Sequence, residues 1–382
     1  MLCCARSHAL TQLNQVPAGP YNELWDWDSV FLGVATSQEF GAGRYFVGSM
    51  MNFLSAVNLS TGDVKGCLTP EGSSPTLYHA KPIIIQGAWL AVRASGGDPS
   101  LFRPFEPAMR ALLAYWEAPQ RVDAATGLHR WHDQLETGAD NLVYSACPSA
   151  YSSCWDDTTD AFTLSSPDIE TFIAREHLAF ARFLAAWGVN ADVAAAHLCR
   201  ATEIAAAVDA YLFVWSDLTH GYYGAYNVST QQQITNRTYQ MAWPVWDGGT
   251  INATLIAASV SSLELPDMLT AFGVRSTSSS DPRYTNEDVI VPYSNWRGPV
   301  WINVNSVLAF ALRAAGYEEL AVAIAGAVVH TLAEDIRSSG TWHECYSSST
   351  GAGLAAPGFL SWNTHGATLV RDIATGMDPF AL

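Results

Sequence analysis

Apolar residues recur along much of this chain at the three- and four-residue spacing of amphipathic helices. Between residues 169 and 187 they fall on one broad face, and Gly188 follows as a stop signal. The same spacing predicts helices in pairs: Pro82–Ala94 with Phe105–Trp116, Ile169–Trp187 with Asn190–Phe213, and Val300–Ala315 with Tyr317–Ile336. Because short glycine-bearing turns join the pairs, the pattern predicts stacked helical hairpins.

Long polar loops separate the predicted hairpins, and most of the 14 tryptophans lie in or beside them. These loops are Pro20–Asp28, Thr126–Asp160, Asp217–Gly249, Asp281–Gly298 and Gly340–Trp362. Binding and catalytic residues concentrate on long loops that a rigid frame holds in place. The tryptophans therefore predict a solvated, aromatic-lined cleft. No stretch of the sequence has the Pro/Gly/Ser-rich composition of a linker, so residues 1–382 are expected to form a single domain.

The net charge of the chain limits the classes of partner that we expect. A formal charge of −17, from 19 Lys and Arg against 36 Asp and Glu, disfavours nucleic acid and anionic membranes. It is compatible with a neutral sugar and less so with a strongly anionic substrate, unless local arginines compensate. No cofactor motif and no Cys/His cluster with zinc spacing occurs, so we expect neither a cofactor nor a metal. The sequence does not predict an oligomeric state.

Two acidic residues stand among aromatic, glycine and amide neighbours. Asp140 lies in the segment LETGADN, and Glu344 lies in WHECY. Glycoside hydrolysis needs two carboxylates that face each other across a sugar. The acid of such a pair needs a raised pKa, which burial or the nearby Glu136 could provide, and the base activates water. The alternatives are acids that cap a turn, and a glutamate on a surface loop.

Two further segments carry groups suited to sugars. In YNELWDWDS, Trp25 and Trp27 alternate with Asp26 and Asp28, which offers aromatic faces beside hydrogen-bond acceptors. In NWRGPVWINVN, Arg297 could clamp hydroxyls or a carboxylate with its fork of donors. The simpler interpretations are a helix N-terminus with buried tryptophans, and an arginine that only satisfies loop carbonyls.

Taken in order, these four segments resemble inverting glycoside hydrolases of family 63 and the related trehalases. The resemblance rests on WDWDS, ETGADN, NWRGPVWINVN and HECY…GFLSW, and runs from about Tyr21 to Ala367. The N-terminal motif and the modest length are most similar to the mannosylglycerate and glucosylglycerate hydrolases. The resemblance implies an all-α fold, an (α/α)6 barrel. In this toroid of six helical hairpins, long loops form a cleft at one end.

The resemblance also implies a role for each motif residue. Asp140 would protonate the leaving oxygen and Glu344 would activate water, with the two carboxyls roughly 6.5–9.5 Å apart. Eight residues would bind substrate in the cleaved subsite, on the aglycone side or at a nearby helix end: Tyr21, Trp25, Trp27, Asp28, Gln86, Arg297, Trp301 and Trp362.

The implied activity is that of an inverting exo-α-glycosidase without a cofactor. Its substrate would be a small α-glucoside or α-mannoside, such as mannosylglycerate or glucosylglycerate. One alternative is an oligosaccharide α-glucosidase or a trehalase-like hydrolase. Another is a non-catalytic sugar-binding relative. Epimerisation in the same barrel would need a histidine base, and no His pair is placed to support it.

The N-terminus bears on the expected compartment. The family's barrel would place a helix before the Trp–Asp segment, yet about 20 residues precede it here. Truncation would account for this and for the missing signal-peptide region, and would place the protein in the secretory pathway or outside the cell. A complete N-terminus would place it in the cytoplasm. Cys147 and Cys154 bracket a loop that could close as a disulfide or keep two thiols.

Overall fold

A computed structural model gives the arrangement of most of the chain. It describes residues 14–16, 18–19, 21–71, 78–132, 135–143, 164–246, 249–250, 252–290 and 293–382. The α-helices in these ranges are α1 (Asp26–Phe40), α2 (Gly43–Ala56), α3 (Ile84–Ser95), α4 (Glu106–Trp116), α5 (Pro167–Ala186), α6 (Ala191–Ala207), α7 (Ala253–Leu263), α8 (Ile302–Ala314), α9 (Glu318–Ser339) and α10 (Leu369–Thr375). Shorter helical turns are the 3₁₀ segments Pro99–Phe105, Leu135–Thr137, Tyr239–Val245 and Ser361–Ala367, and the π-helical turn Val208–Leu212.

An inner ring of helical elements forms the centre of the fold. Helices α1, α3, α5 and α8 are buried over most of their length, as are the 3₁₀ segments Tyr239–Val245 and Ser361–Ala367. Around the ring α1 packs on α3, α3 on α5, α5 on Tyr239–Val245, that segment on α8, and α8 on Ser361–Ala367, which closes the ring against α1. Each inner element is followed along the chain by an outer helix: α2, α4, α6, α7, α9 or α10. The predicted (α/α)6 barrel is thereby confirmed.

The three predicted helix pairs appear as α3 with α4, α5 with α6, and α8 with α9. The beginning of the chain differs from expectation, because the Trp–Asp segment itself starts the first inner helix at Asp26. The expected helix before this segment falls largely outside the described residues, and the loop predicted to run through Asp28 is wrong because it ends at Trp25. Asp26 and Asp28 occupy the first turn of α1, where negative charge is favourable to the helix dipole.

Short antiparallel strands stiffen the loops between helices. They pair as β1 (Leu24–Trp25) with β2 (Cys67–Leu68), β3 (Leu164–Ser165) with β6 (Ala225–Asn227) and β6 with β7 (Gln232–Ile234), β4 (Phe213–Trp215) with β5 (Gly221–Tyr223), β8 (Leu269–Thr270) with β9 (Gly273–Val274), β10 (Val289–Ile290) with β11 (Tyr293–Ser294), and β12 (Cys345–Tyr346) with β13 (Gly353–Leu354). Strands of two or three residues are too short to show alternation in sequence. Three of them hold Trp25, Ser294 and the residue after Glu344 in place.

The sequence also suggested a possible disulfide and disfavoured an anionic membrane as a partner. The proposed pairing of Cys147 with Cys154 lies outside the described residues. No helix in the described ranges has the length and apolar character needed to cross a bilayer.

Candidate active site

Three carboxylates converge at one end of the barrel. Asp28 comes from the first turn of α1, Asp140 follows the 3₁₀ turn Leu135–Thr137, and Glu344 directly precedes β12. The Tyr21 hydroxyl donates to Glu344, 3.2 Å from each carboxylate oxygen. Burial and the negative charges of all three carboxylates raise the pKa of Tyr21. Residues 323 positions apart in sequence therefore face a common space.

Ser294 in β11 links the two predicted catalytic carboxylates. Its backbone N–H donates to the Asp140 carboxylate. Its hydroxyl donates to Glu344 Oε1 at 3.3 Å. One residue thus fixes the position of both groups, although no sequence motif singled it out.

Burial raises the pKa of Asp140 to about 7, against the opposing effects of the Lys81 charge and the Ser294 hydrogen bond. A carboxyl with this pKa holds a proton near neutral pH, as a general acid must. The expectation that Glu136 raises this pKa is wrong. Glu136 is buried in an ion pair with Arg121, whose two terminal nitrogens each lie 2.8 Å from a carboxylate oxygen.

Glu344 and Asp28 are also shifted upward. Burial, followed by the charges of Asp140 and Asp28, raises the pKa of Glu344 to about 8, while hydrogen bonds from Tyr21 and Ser294 oppose the shift. Burial raises the pKa of Asp28 to about 7, against a 2.7 Å hydrogen bond from the Ser361 hydroxyl. Since the three groups repel one another when ionised, protonation of Asp140 makes Glu344 easier to ionise. A protonated Asp140 and an ionised Glu344 are therefore mutually compatible.

A buried aromatic layer lies among these segments. Trp296 and Trp301 stack with ring centroids 3.8 Å apart, and Trp27 lies 5.7 Å from Trp296 and 6.0 Å from Trp362. None of these four side chains is more than 7% exposed. The predicted solvated lining is therefore wrong for these tryptophans, because they pack against one another as a dry support. Trp301 is 1% exposed and donates its indole N–H to the Asn295 carbonyl, and its contact with substrate stays a prediction.

Gly138 allows the Asp140 turn to pack closely. Its φ is +76°, and a Cβ there would lie 2.3 Å from Lys81 Cε and 2.9 Å from the Trp27 ring. Lys81 in turn pairs with Asp26 at 3.2 Å, and its ammonium lies 4.7 Å from the centre of a Trp27 ring. The glycine of ETGADN is thus required by both backbone conformation and space.

Gln86 lies in the interior between inner helices. Its side-chain nitrogen donates to the carbonyls of Pro82 and Phe172, and its oxygen accepts from Arg175 Nε at 2.9 Å. The residue is 0% exposed. These bonds join α3 to α5, and contact of Gln86 with substrate stays a prediction.

The other predicted substrate residues lie at or just behind the carboxylates. Arg297 is buried, its Nε donates to the Asn141 carbonyl at 2.6 Å, and its Nη1 has no hydrogen-bond partner among the described residues. Trp362 donates to the main-chain carbonyl of Glu344 at 3.1 Å. Tyr21 and Trp25 are partly exposed, with ring centroids 6.1 Å apart. Direct sugar contacts by these residues stay predictions.

The side chains of the described site do not form a set of metal ligands. Within the ranges given above, no group of three or more His, Cys, Asp or Glu side chains is arranged to hold a metal ion. The convergent groups are instead carboxyls and hydroxyls. Such a set can move protons and can hydrogen-bond the hydroxyls of a sugar.

Replacing Ser294 with alanine should move the acidic limb of the pH–activity profile upward by about half a pH unit, as loss of one weak hydrogen bond implies. The Ser294 bond lowers the pKa of Glu344, so its removal raises that pKa. A base acts when ionised, and activity then begins at higher pH. The measurement is kcat/KM against pH. Ser361→Ala is the matched control, because that hydroxyl serves Asp28. An upward shift in both variants, or in neither, would contradict the assignment.

Comparison with known proteins identifies a family of glycoside hydrolases. The family described as "Mannosylglycerate hydrolase MGH1-like glycoside hydrolase domain" matches residues 21–362. A curated relative, the cytosolic neutral trehalase of Kluyveromyces lactis, is 23% identical over 291 residues, which are 61% of this chain. The chain spans 37% of that relative's length.

Two solved structures show the same fold. A family 63 mannosylglycerate hydrolase from Thermus thermophilus, solved with glucose, has a TM-score of 0.74 at 18% identity, covering 96% of each chain. The neutral trehalase of Saccharomyces cerevisiae has a TM-score of 0.70 at 16% identity, covering 96% of this chain and 76% of its own. At these identities the likeness concerns the fold.

Proposed function

This chain belongs to the mannosylglycerate hydrolase MGH1-like family of glycoside hydrolases, and we propose that it removes a terminal α-glucosyl or α-mannosyl unit from a small substrate with inversion. The observation that carries the proposal is the pair Asp140 and Glu344. Both carboxyls have raised pKa values, and both hydrogen-bond Ser294. Membership of the family supports a glycosidase, and this pair supplies the acid and the base that such a reaction requires.

Asp140 is the acid in this proposal. In its protonated form it donates a proton to the glycosidic oxygen as the bond to the anomeric carbon breaks. The aglycone leaves as an alcohol, and Asp140 becomes a carboxylate. Lys81 and the backbone N–H of Ser294 both favour that charged form, so they stabilise it as the charge develops.

Glu344 is the base. Its ionised carboxylate takes a proton from a water molecule whose oxygen attacks the anomeric carbon from the face opposite the leaving group. Tyr21 and Ser294 hold the carboxylate in position by hydrogen bonds from their hydroxyls. Asp28, held by Ser361, is the proposed anchor for hydroxyls of the cleaved sugar.

A trehalase-like hydrolase is the second candidate. The similarity to the Kluyveromyces lactis trehalase over 61% of this chain favours it. The chemistry would be the same, and only the aglycone would differ, being a second glucose. Separate assays on trehalose, maltose and α-glucosyl or α-mannosyl glycerol derivatives distinguish the two candidates.

Proton NMR during the first minutes of hydrolysis tests the proposal. We expect an α-glycoside to release the β-anomer first, because attack from the opposite face inverts the anomeric carbon. The α-anomer should then appear at the rate of mutarotation, measured separately with free sugar in the same buffer. First appearance of the α-anomer would exclude the inverting mechanism. Absence of products across the panel would favour a sugar-binding protein without turnover.

A further inference from the structure

We infer that the leaving part of the substrate is uncharged, a polyol or a second neutral sugar, and not a carboxylate such as glycerate. The inference rests on the proposed hydrolysis and adds the chemical class of the aglycone. It follows from the charges around Asp28, Asp140 and Glu344. An aglycone bound next to Asp140 must lie within reach of those charges.

Lys81 brings positive charge to the carboxylate cluster, but it is already engaged. Its charge acts on both Asp28 and Asp140. Its side chain is 3% exposed, and its ammonium lies 3.2 Å from the Asp26 carboxylate. An aglycone carboxylate would have to share the Lys81 ammonium with Asp26, so the positive charge available to it is already partly neutralised.

Arg297 is the arginine that the sequence motif offered for a substrate carboxylate, and it is buried. The charges that act on its guanidinium are those of Arg283 and Asp281. Burial and the Arg283 charge lower the pKa of Arg297. Its side chain is 1% exposed, its Nε donates to the Asn141 carbonyl, and its Nη1 has no hydrogen-bond partner among the described residues. This single buried arginine would have to offset the charges of Asp28, Asp140 and Glu344 before it could favour an anionic substrate.

In the described part of the chain, the side chains that donate hydrogen bonds to Asp28 and Glu344 are neutral. Tyr21 and Ser294 present hydroxyls to Glu344, and Ser361 presents one to Asp28. Hydroxyls both donate and accept, which suits a ligand rich in hydroxyls. A carboxylate ligand is instead held best by charge-assisted bonds from arginine or lysine.

Negative charge also continues outward from the cluster. Exposed Asp288 accepts a hydrogen bond from the Ala355 backbone, beside the β12–β13 pair, and its charge reaches the thiol of Cys345 next to Glu344. A net charge of −17 gives no electrostatic attraction for an anionic substrate at long range.

A matched substrate pair tests the inference. α-Glucosylglycerol and α-glucosylglycerate share the sugar and the linkage, and differ in a hydroxymethyl group against a carboxylate. At pH 7 and low salt we expect kcat/KM for the glycerol compound to exceed that for the glycerate compound by at least about tenfold. Added salt should narrow the gap, since it screens the repulsion. The corresponding mannosides are measured in parallel.

An Asp288→Asn variant gives a second readout. Asparagine keeps an oxygen for the Ala355 N–H while removing the charge. We expect kcat/KM for the glycerate compound to rise by about twofold, with little change for the glycerol compound. Asp192→Asn, an exposed change on α6, is the matched control and should alter neither. Equal effects of Asp288→Asn on both substrates would count against the inference.

Calorimetric titration of the Asp140→Asn variant separates failure of the inference from failure of the proposed function. If wild type turns over neither compound, nor maltose or trehalose, the proposed hydrolysis fails. Tighter binding of the glycerol compound would then still support an uncharged aglycone. Equal or tighter binding of the glycerate compound, binding of neither, or an equal or higher kcat/KM for glycerate in wild type overturns the inference.

Discussion

Replacing Glu344 with glutamine should lower kcat by about 10²–10⁴-fold, the contribution typical of general acid–base catalysis. Glutamine keeps an oxygen that can accept the hydrogen bonds of Tyr21 and Ser294, but it cannot take a proton from water. The loss should be similar for all substrates, because every substrate needs the attacking water. Initial rates on glycosides of differing leaving-group acidity measure it.

Two controls accompany the Glu344→Gln variant. Thermal unfolding should show a Tm close to that of wild type, because the polar contacts are retained. Glu318→Gln, at an exposed position in the first turn of outer helix α9, removes one negative charge outside the site and should leave kcat unchanged. Retention of more than about a tenth of wild-type kcat in Glu344→Gln would remove this residue from the base role.

Replacing Asp140 with asparagine should produce a loss that depends on the leaving group. For alkyl glycosides and disaccharides we expect kcat to fall by about 10²–10⁴-fold, because the leaving oxygen then departs without a proton. A glycosyl fluoride needs little protonation, and its hydrolysis should be much less affected. Loss of equal size on both classes would indicate damage to the site instead of removal of an acid.

The pH profile gives an independent check on Asp140. The carboxyls of Asp140 and Glu344 have pKa values of about 7 and about 8 and titrate as a coupled pair, so wild-type activity should be highest between these values and decline at higher pH as Asp140 loses its proton. The sign follows from its role, since a general acid acts in its protonated form. In Asp140→Asn this alkaline limb should disappear from the residual activity. Persistence of an unchanged limb would assign it to another group.

The hairpin pairs of the barrel could be predicted from sequence because their helices repeat an apolar face over several turns. The closed ring could not be predicted from that pattern. Two of its inner elements, Tyr239–Val245 and Ser361–Ala367, are seven-residue 3₁₀ segments, too short to establish a helical period. The start of α1 could not be predicted either, because the alternation of tryptophans and acids where the helix begins is not a helical pattern.

The two acids of the site could be identified because a carboxylate among aromatic and glycine residues is unusual in sequence. Their partners could not. Ser294 reaches Glu344 across 50 positions, a contact that depends on how β11 lies beside β12. Nor does a sequence tell which face of a tryptophan is exposed. Trp301 was therefore expected to contact substrate, and its burial against Trp296 could not be predicted.

Closure of the inner ring determines when the active site can form during synthesis of the chain. Ser361 and Asp28 meet across 333 positions, and Tyr21 meets Glu344 across 323. Contacts of such long range form late, since the chain entropy lost in closing the loop must be overcome first. During synthesis the site cannot assemble until the segment beyond residue 361 has left the ribosome. A nascent chain can therefore hold folded hairpins while it remains without a catalytic centre.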